Sequence, residues 1–167
     1  MILLAFVALT APLAMAEAQP SLSGRTLQGQ PFQLAALRGK VVMVVFWSTD
    51  CPVCRDRMAE LRQNYAGWNG KPFELVAVSV DRRAQDLADY DAITTALVPS
   101  RQRFVQLWHG APGYADNFPK PALAGPGAVE GRPVLPLTYI LNKQGTLVAQ
   151  YSGRVPADVW DEISDLL

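Results

Sequence analysis

The residues of this chain best suited to chemistry are its only two cysteines, Cys51 and Cys54, which lie three positions apart in the run FWSTDCPVCR. A secreted protein that used disulfides as structural staples would distribute its cysteines along the sequence. A single pair that closes so short a loop instead indicates thiol chemistry, in which the pair alternates between a dithiol and a disulfide. A permanent small-loop disulfide and a pair of metal ligands remain as alternatives, although a zinc site usually has four ligands.

The cysteines lie at a predicted junction between a strand and a helix. Val41–Trp47 is a continuous apolar run rich in β-branched side chains, which predicts a strand buried on both faces. After Cys51 the apolar residues recur at steps of three and four positions, and Pro52 suits the first position of a helix. The pattern therefore places Cys51 at or next to the N-cap of a helix and Cys54 one turn further along, facing inward.

This placement predicts different roles for the two thiols. Unpaired backbone N–H groups and the positive end of the helix dipole favour a thiolate at the start of a helix. Cys51 is therefore the predicted nucleophile, and Cys54 is the predicted resolving thiol that attacks Cys51 in a mixed disulfide. Two nearby charges are candidates for tuning the thiol pKa, because the carboxylate of Asp50 would raise it and the guanidinium of Arg57 would lower it.

The run FWSTDCPVCR after a hydrophobic strand resembles the active-site segment of thioredoxin-like proteins. The wider pattern resembles the TlpA-like branch of bacterial thiol-disulfide oxidoreductases, and the resemblance extends over residues 27–47, 73–81 and 135–155. It implies a thioredoxin-like three-layer α/β fold, in which a central mixed sheet has helices on both faces. It also implies that Pro136 is in cis opposite the dithiol and is followed by a β-hairpin.

The same resemblance implies the function and the partners. We expect a protein disulfide oxidoreductase without cofactor or metal, whose partners are protein dithiols or disulfides and a membrane or periplasmic electron donor, with a family bias toward reduction. The residues expected in the substrate groove are Trp47, Pro52, Val53, Leu135 and Pro136. For Trp47, packing in the core is an equally good interpretation. The chain departs from its relatives in proton handling, since Val45 and Arg57 replace an Asp and a Glu that relatives carry.

Two other activities of thioredoxin-like folds stay open at this point. A peroxide-reducing enzyme would need a Thr three residues before its reactive cysteine and a Pro further upstream, where this chain has Ser48 and Val44. A copper-handling protein would use both cysteines together with a distal histidine. His109, the single histidine of the chain, is the only candidate for that ligand.

Composition and the N-terminal segment favour one exported domain. The chain has 167 residues, 50% of them hydrophobic, which is enough for one core. Basic and acidic residues number 15 each, so no basic excess indicates nucleic-acid binding. An apolar run followed by Ala-Met-Ala predicts a signal peptide over residues 1–16, or a short uncleaved anchor, although no Lys or Arg precedes the run. Residues 17–167 are then predicted to form a single periplasmic thioredoxin-like domain, associated with a membrane only if the segment is uncleaved.

The remaining elements follow from apolar patterns and turn residues. Their predicted bounds are a helical turn over 34–37, a strand over 73–80, a helix over 84–97, hairpin strands over 137–141 and 146–151, and a helix over 156–167. The alternation of strands and helices predicts parallel pairing between the strands that begin at Val41 and Phe73. Residues 98–135 contain six prolines and five glycines, which predicts an irregular insertion before Pro136, either packed on the surface or in contact with a partner.

Overall fold

The computed structural model describes residues 19–119 and 134–167, so the predicted signal peptide and residues 120–133 of the predicted insertion lie outside it. In chain order the strands are β1 (Leu22–Arg25), β2 (Pro31–Gln33), β3 (Val41–Trp47), β4 (Phe73–Ser79), β5 (Val105–Trp108), β6 (Ala115–Asp116), β7 (Leu137–Leu141) and β8 (Leu147–Ser152). The α-helices are α1 (Pro52–Gly67), α2 (Ala84–Leu97) and α3 (Val159–Leu166), and 3-10 helices span Leu34–Leu37 and Ser100–Gln102. Within these ranges no helix is long and apolar enough to cross a membrane.

A five-stranded mixed sheet in the order β5-β4-β3-β7-β8 forms the centre of the fold. The strand β3 lies in the middle, parallel to β4 and antiparallel to β7, and all seven of its residues are buried. A β-branched apolar run suits this position, because it packs against neighbours on both faces of the sheet. The predicted parallel pairing of β3 with β4 is therefore confirmed.

Alternate residues of β3 point into two separate hydrophobic cores. Met43 and its alternate neighbours face the three α-helices, which contribute Met58, Leu87 and Ile163 to that core. The opposite face is covered by a small sheet in the order β2-β1-β6 and by the 3-10 helix Leu34–Leu37. The sheet thus carries helices on both faces as predicted, but among the described residues the second face has only a 3-10 helix.

The handedness of the crossovers explains why α1 and α2 lie on one face. The connections β3-α1-β4 and β4-α2-β5 both move in the same direction across the sheet. Crossovers between parallel strands are almost always right-handed, so two successive steps in one direction put their helices on the same side. The rings of Trp47 and Tyr90, whose centroids are 4.9 Å apart, pack β3 against α2 on that side.

The predicted irregular insertion requires a correction, because part of it is a regular strand of the central sheet. Residues 105–108 form β5, which pairs in parallel with β4 and buries Leu107 completely. The Pro and Gly count over residues 98–135 obscured this strand, since β5 has only four residues and is bounded by breakers. The short strand β6 and the 3-10 helix Ser100–Gln102 also fall within this range, and residues 120–133 lie outside the described structure.

The burial of Leu107 leads to a stability prediction. Leu107→Ala should lower the free energy of unfolding by about 2–5 kcal/mol, because it removes buried methyl groups and leaves a cavity. The matched control is Leu97→Ala, since Leu97 is 77% exposed and the same change should stay within about 0.5 kcal/mol. Urea unfolding followed by circular dichroism measures both values. Equal losses for the two variants would contradict the place of β5 in the core.

Candidate active site

Cys51 and Cys54 form a disulfide at the start of α1. Cys51 is the N-cap residue, and its Sγ accepts a hydrogen bond of 3.2 Å from the backbone N–H of Cys54. Cys51 is half-buried, whereas Cys54 has no exposed surface. The predicted placement at the helix start is therefore confirmed, and the N–H directed at Cys51 Sγ would stabilise a thiolate there.

The local sequence explains why the helix begins at this point. Pro52 occupies the first helical position, where the backbone N–H that it lacks would have no partner within the helix. The N–H of Cys51 donates to the carbonyl of Ser48 at 3.3 Å, and residues 48–50 form a turn between β3 and the helix, here called the 48–50 turn. Between the cysteines, Pro52 is exposed and Val53 is 49% exposed, so the disulfide has an apolar surface beside it.

Leu135 and Pro136 lie at the same edge of the central sheet as the disulfide. The register pairs Leu137, the first residue of β7, with Phe46 near the end of β3. The strands are antiparallel, so the residues just before β7 and the residues just after β3 meet at one edge. The peptide bond between Leu135 and Pro136 is cis, Leu135 is half-buried, and Pro136 is buried. Of the predicted groove residues, Pro52, Val53, Leu135 and Pro136 are thus brought to this edge.

Trp47 does not belong to a groove surface. Its side chain has no exposed area and packs in the core beneath α1 and α2. A side chain at the end of a strand buried on both faces is covered by the crossing helices, so Trp47 presents no surface at this edge. This burial agrees with core packing, one of the two interpretations from the sequence for Trp47.

The two candidate charges have other partners in the structure. The Arg57 side chain is 9% exposed, forms an ion pair with Glu60 and donates to the carbonyl of Val155 at 2.6 Å. It thereby connects α1 to the segment before α3. Asp50 is exposed and accepts a hydrogen bond from the Ser48 hydroxyl. Tuning of the thiols by either charge stays a prediction.

A buried carboxylate, Asp81, supports the 48–50 turn. Asp81 is 4% exposed and follows β4 by two residues. Its Oδ1 accepts from the Thr49 N–H at 2.9 Å, the Thr49 hydroxyl at 2.8 Å and the Ser48 hydroxyl at 3.0 Å, and its Oδ2 accepts from the Ser79 hydroxyl at 2.6 Å. No role for Asp81 follows from the motif around the cysteines. The sequence does contain a signal for it, which is an acidic residue just after the predicted strand that begins at Phe73. That strand is parallel to the strand before the cysteines, and the carboxyl ends of parallel strands meet at one edge of a sheet.

The end of β5 completes this edge of the sheet. The indole N–H of Trp108 donates to the carbonyl of Asp81 at 2.8 Å, and the backbone N–H of His109 donates to the carbonyl of Ser79 at 2.9 Å. The His109 side chain is exposed, and its ring lies 6.5 Å from those of Trp108 and Tyr114. Across residues 19–119 and 134–167, no three His, Cys, Asp or Glu side chains come together as a metal site.

Comparison with known sequences places these features in a family context. Residues 15–154 match the profile of the AhpC/TSA family. The chain is 27% identical over 144 residues to the thiol-disulfide oxidoreductase ResA of Halalkalibacterium halodurans, which covers 84% of this chain and 70% of that protein. It is 45% identical over 49 residues to the thiol-disulfide oxidoreductase ResA of Oceanobacillus iheyensis, which covers 29% of this chain and 26% of that protein.

Solved structures with a similar fold confirm the thioredoxin-like architecture. A thioredoxin-family thiol:disulfide interchange protein from Chlorobium tepidum superposes with a TM-score of 0.62 at 22% identity, covering 90% of this chain and 97% of that one. The thioredoxin domain of a thiol-disulfide oxidoreductase from Bacteroides vulgatus superposes with a TM-score of 0.61 at 21% identity, covering 92% and 98%.

The unequal exposure of the two sulfurs predicts their order of reaction. In the reduced protein near neutral pH, iodoacetamide should label Cys51 at least about tenfold faster than Cys54, because Cys51 is accessible and receives the helix N–H. Peptide mass spectrometry after a short pulse measures the ratio. Labelling in the presence of denaturant is the control, since both rates should then become similar. Faster labelling of Cys54 in the folded protein would reverse the two roles.

Proposed function

The chain belongs to the AhpC/TSA family and is a thiol-disulfide oxidoreductase of thioredoxin-like fold, and we propose that it exchanges disulfides with partner proteins in the periplasm, acting more as a reductant than as an oxidant. The observation that carries the proposal is the asymmetric disulfide at the start of α1. One sulfur is accessible and receives a backbone N–H, and the other is buried directly behind it. This arrangement suits a nucleophile and a resolving thiol.

The reaction in the reducing direction has two steps. The Cys51 thiolate attacks one sulfur of a substrate disulfide, so that a bond forms between Cys51 and that sulfur while the substrate S–S bond breaks. The sulfur that leaves takes up a proton. The Cys54 thiolate then attacks Cys51 Sγ, which releases the second substrate sulfur as a thiol and leaves the Cys51–Cys54 disulfide. The protein loses two electrons and two protons, and the substrate gains them.

The proposed substrate groove runs over the apolar edge beside Cys51. Pro52 and Val53 provide exposed apolar surface on one side, and the Leu135 and Pro136 backbone provides the other. An extended segment of substrate can pair with the backbone at Leu135 by strand addition, which requires no particular substrate sequence. The groove therefore favours a flexible cysteine-containing peptide over a small thiol.

The proposed location rests on the N-terminal sequence, and the proposed reducing direction rests on the oxidising character of that compartment. The predicted signal peptide over residues 1–16 supports export, and in that compartment disulfides persist unless a dedicated reductant removes them. A periplasmic or membrane-bound electron donor then restores the dithiol after each cycle. Within this proposal, Asp50 and Arg57 are the charges that adjust the thiol equilibrium.

The proposed roles are tested by trapping a partner. Cys54→Ala should accumulate mixed disulfides in the periplasm of the producing cell, because Cys51 can attack but nothing resolves the product. Non-reducing gels and mass spectrometry identify the adducts. Cys51→Ala is the matched control and should trap far less. An absence of adducts with both variants would contradict the proposed function.

The groove is tested by a charge placed beside the disulfide. Val53→Asp should raise KM for a disulfide-containing peptide about tenfold, since a carboxylate there must lose water when the peptide docks. The rate of reduction by dithiothreitol should change far less, because that reagent does not fill the groove. Val148→Asp is the matched control, since Val148 is 46% exposed on the edge strand β8 and lies outside the proposed groove. Equal KM values for both variants would contradict this docking surface.

A further inference from the structure

The 48–50 turn and Asp81 form a hydrogen-bonded unit that connects the ends of two strands. Asp81 accepts four hydrogen bonds, all from neutral donors on Ser48, Thr49 and Ser79. Among the described residues it takes part in no ion pair. The Asp81 carboxylate therefore lies beside the turn with four neutral hydrogen-bond donors around it and, in the described part of the chain, no cation paired to it.

The Ser48 hydroxyl has one hydrogen to donate and lies next to two carboxylates. Its Oγ lies within hydrogen-bonding distance of an oxygen of Asp50 and, at 3.0 Å, of Asp81 Oδ1. A hydroxyl donates one hydrogen, so it can serve only one carboxylate at a time. A hydrogen bond from Ser48 to one carboxylate is therefore made at the expense of the other. The charge of the exposed Asp50 is thereby coupled to the buried Asp81.

This unit adjoins the reactive sulfur through the backbone. Asp50 immediately precedes Cys51, and the Cys51 N–H donates to the Ser48 carbonyl. The charged and titratable groups that face the unit are Asp50 and, at 3.3 Å from the Thr49 carbonyl, Arg55. The exposed Arg82, Arg83 and His109 flank it beside Asp81 and Trp108. Asp50 and Asp81 are the two carboxylates that contact Ser48 in this unit.

We propose that Asp81 is a positioning residue of the dithiol, which holds the 48–50 turn and, through the one proton of Ser48, couples the charge of Asp50 to the reactivity of Cys51. The inference rests on the proposed function for its biological meaning. Its physical content concerns only the pH dependence of the Cys51 thiol, so the two can fail separately.

The test measures the pH midpoint for alkylation of Cys51 in the reduced protein. Asp81→Asn keeps the shape of the side chain and still accepts from Thr49 but loses the charge, so the thiolate becomes easier to form. We expect the midpoint to fall by about one pH unit, which is a tenfold change in the thiolate equilibrium. The same change should make the disulfide more oxidising when equilibrated with glutathione. The matched control is Asp89→Asn, which removes an exposed carboxylate on α2 and should leave the midpoint unchanged.

A double-mutant cycle tests the coupling through Ser48. The double variant that carries Asp50→Asn and Asp81→Asn should shift the midpoint by less than the sum of the two single shifts. The reason is that the Ser48 hydroxyl donates to Asp50 alone once Asp81 is neutral, so both changes act on one shared hydrogen bond. In a Ser48→Ala background the two shifts should become additive. A purely structural role for Asp81 predicts none of these effects in variants whose circular dichroism matches the wild type.

The outcomes separate the possibilities. A midpoint for Asp81→Asn equal to that of the wild type, or additive shifts with Ser48 present, would overturn the proposal. If Asp81→Asn fails to fold, Ser48→Ala decides, because loss of the shared donor should raise the midpoint, and an unchanged midpoint overturns the proposal. If the wild type traps no partner while these shifts occur, the proposed function fails and the inference about Asp81 stands.

Discussion

The pairing of β3 with β4 on one side and β7 on the other brings the parts of the active site to one edge of the sheet. Because β3 and β4 are parallel, their carboxyl ends coincide, and Cys51 and Asp81 follow those two ends. Because β7 is antiparallel to β3, Pro136 precedes β7 at the same edge. Burial of β3 on both faces determines this register, since a slip of one residue would reverse which side chains face each core.

This edge combines an accessible sulfur with a rigid support. The helix start gives Cys51 a backbone N–H, and burial removes Cys54 from solvent. The support beneath the turn is polar, because Asp81 collects four neutral donors where an apolar residue would leave the turn's hydroxyl and N–H groups unpaired. The geometry of the thiol pair and the charge around it thus come from different strands. A change in the charge around the thiols can therefore alter their reactivity without altering the fold.

Several elements could be predicted because their signals are local. The bounds of β3, α2 and β7 agree with those expected from apolar patterns, and α1 begins at Pro52 as its N-terminal signals indicated. The final helix begins at Val159, three residues later than expected, because the exposed residues before it form a turn. The strand β5 was missed because its four residues gain their stability from pairing with β4. Short strands carry too few residues for a pattern to appear above the surrounding prolines and glycines.

The sequence by itself determined the reacting pair, the strand before it and the helix after it, because two cysteines, a β-branched run and a proline act within a few residues of one another. Only the tertiary structure decided the surroundings of that pair. Trp47 is buried because α2 crosses above it, and Arg57 is engaged because Val155 lies within reach. Asp81 meets Thr49 across 32 positions of sequence because two parallel strands end side by side. Contacts between residues so far apart depend on register and crossover handedness, which no local pattern encodes.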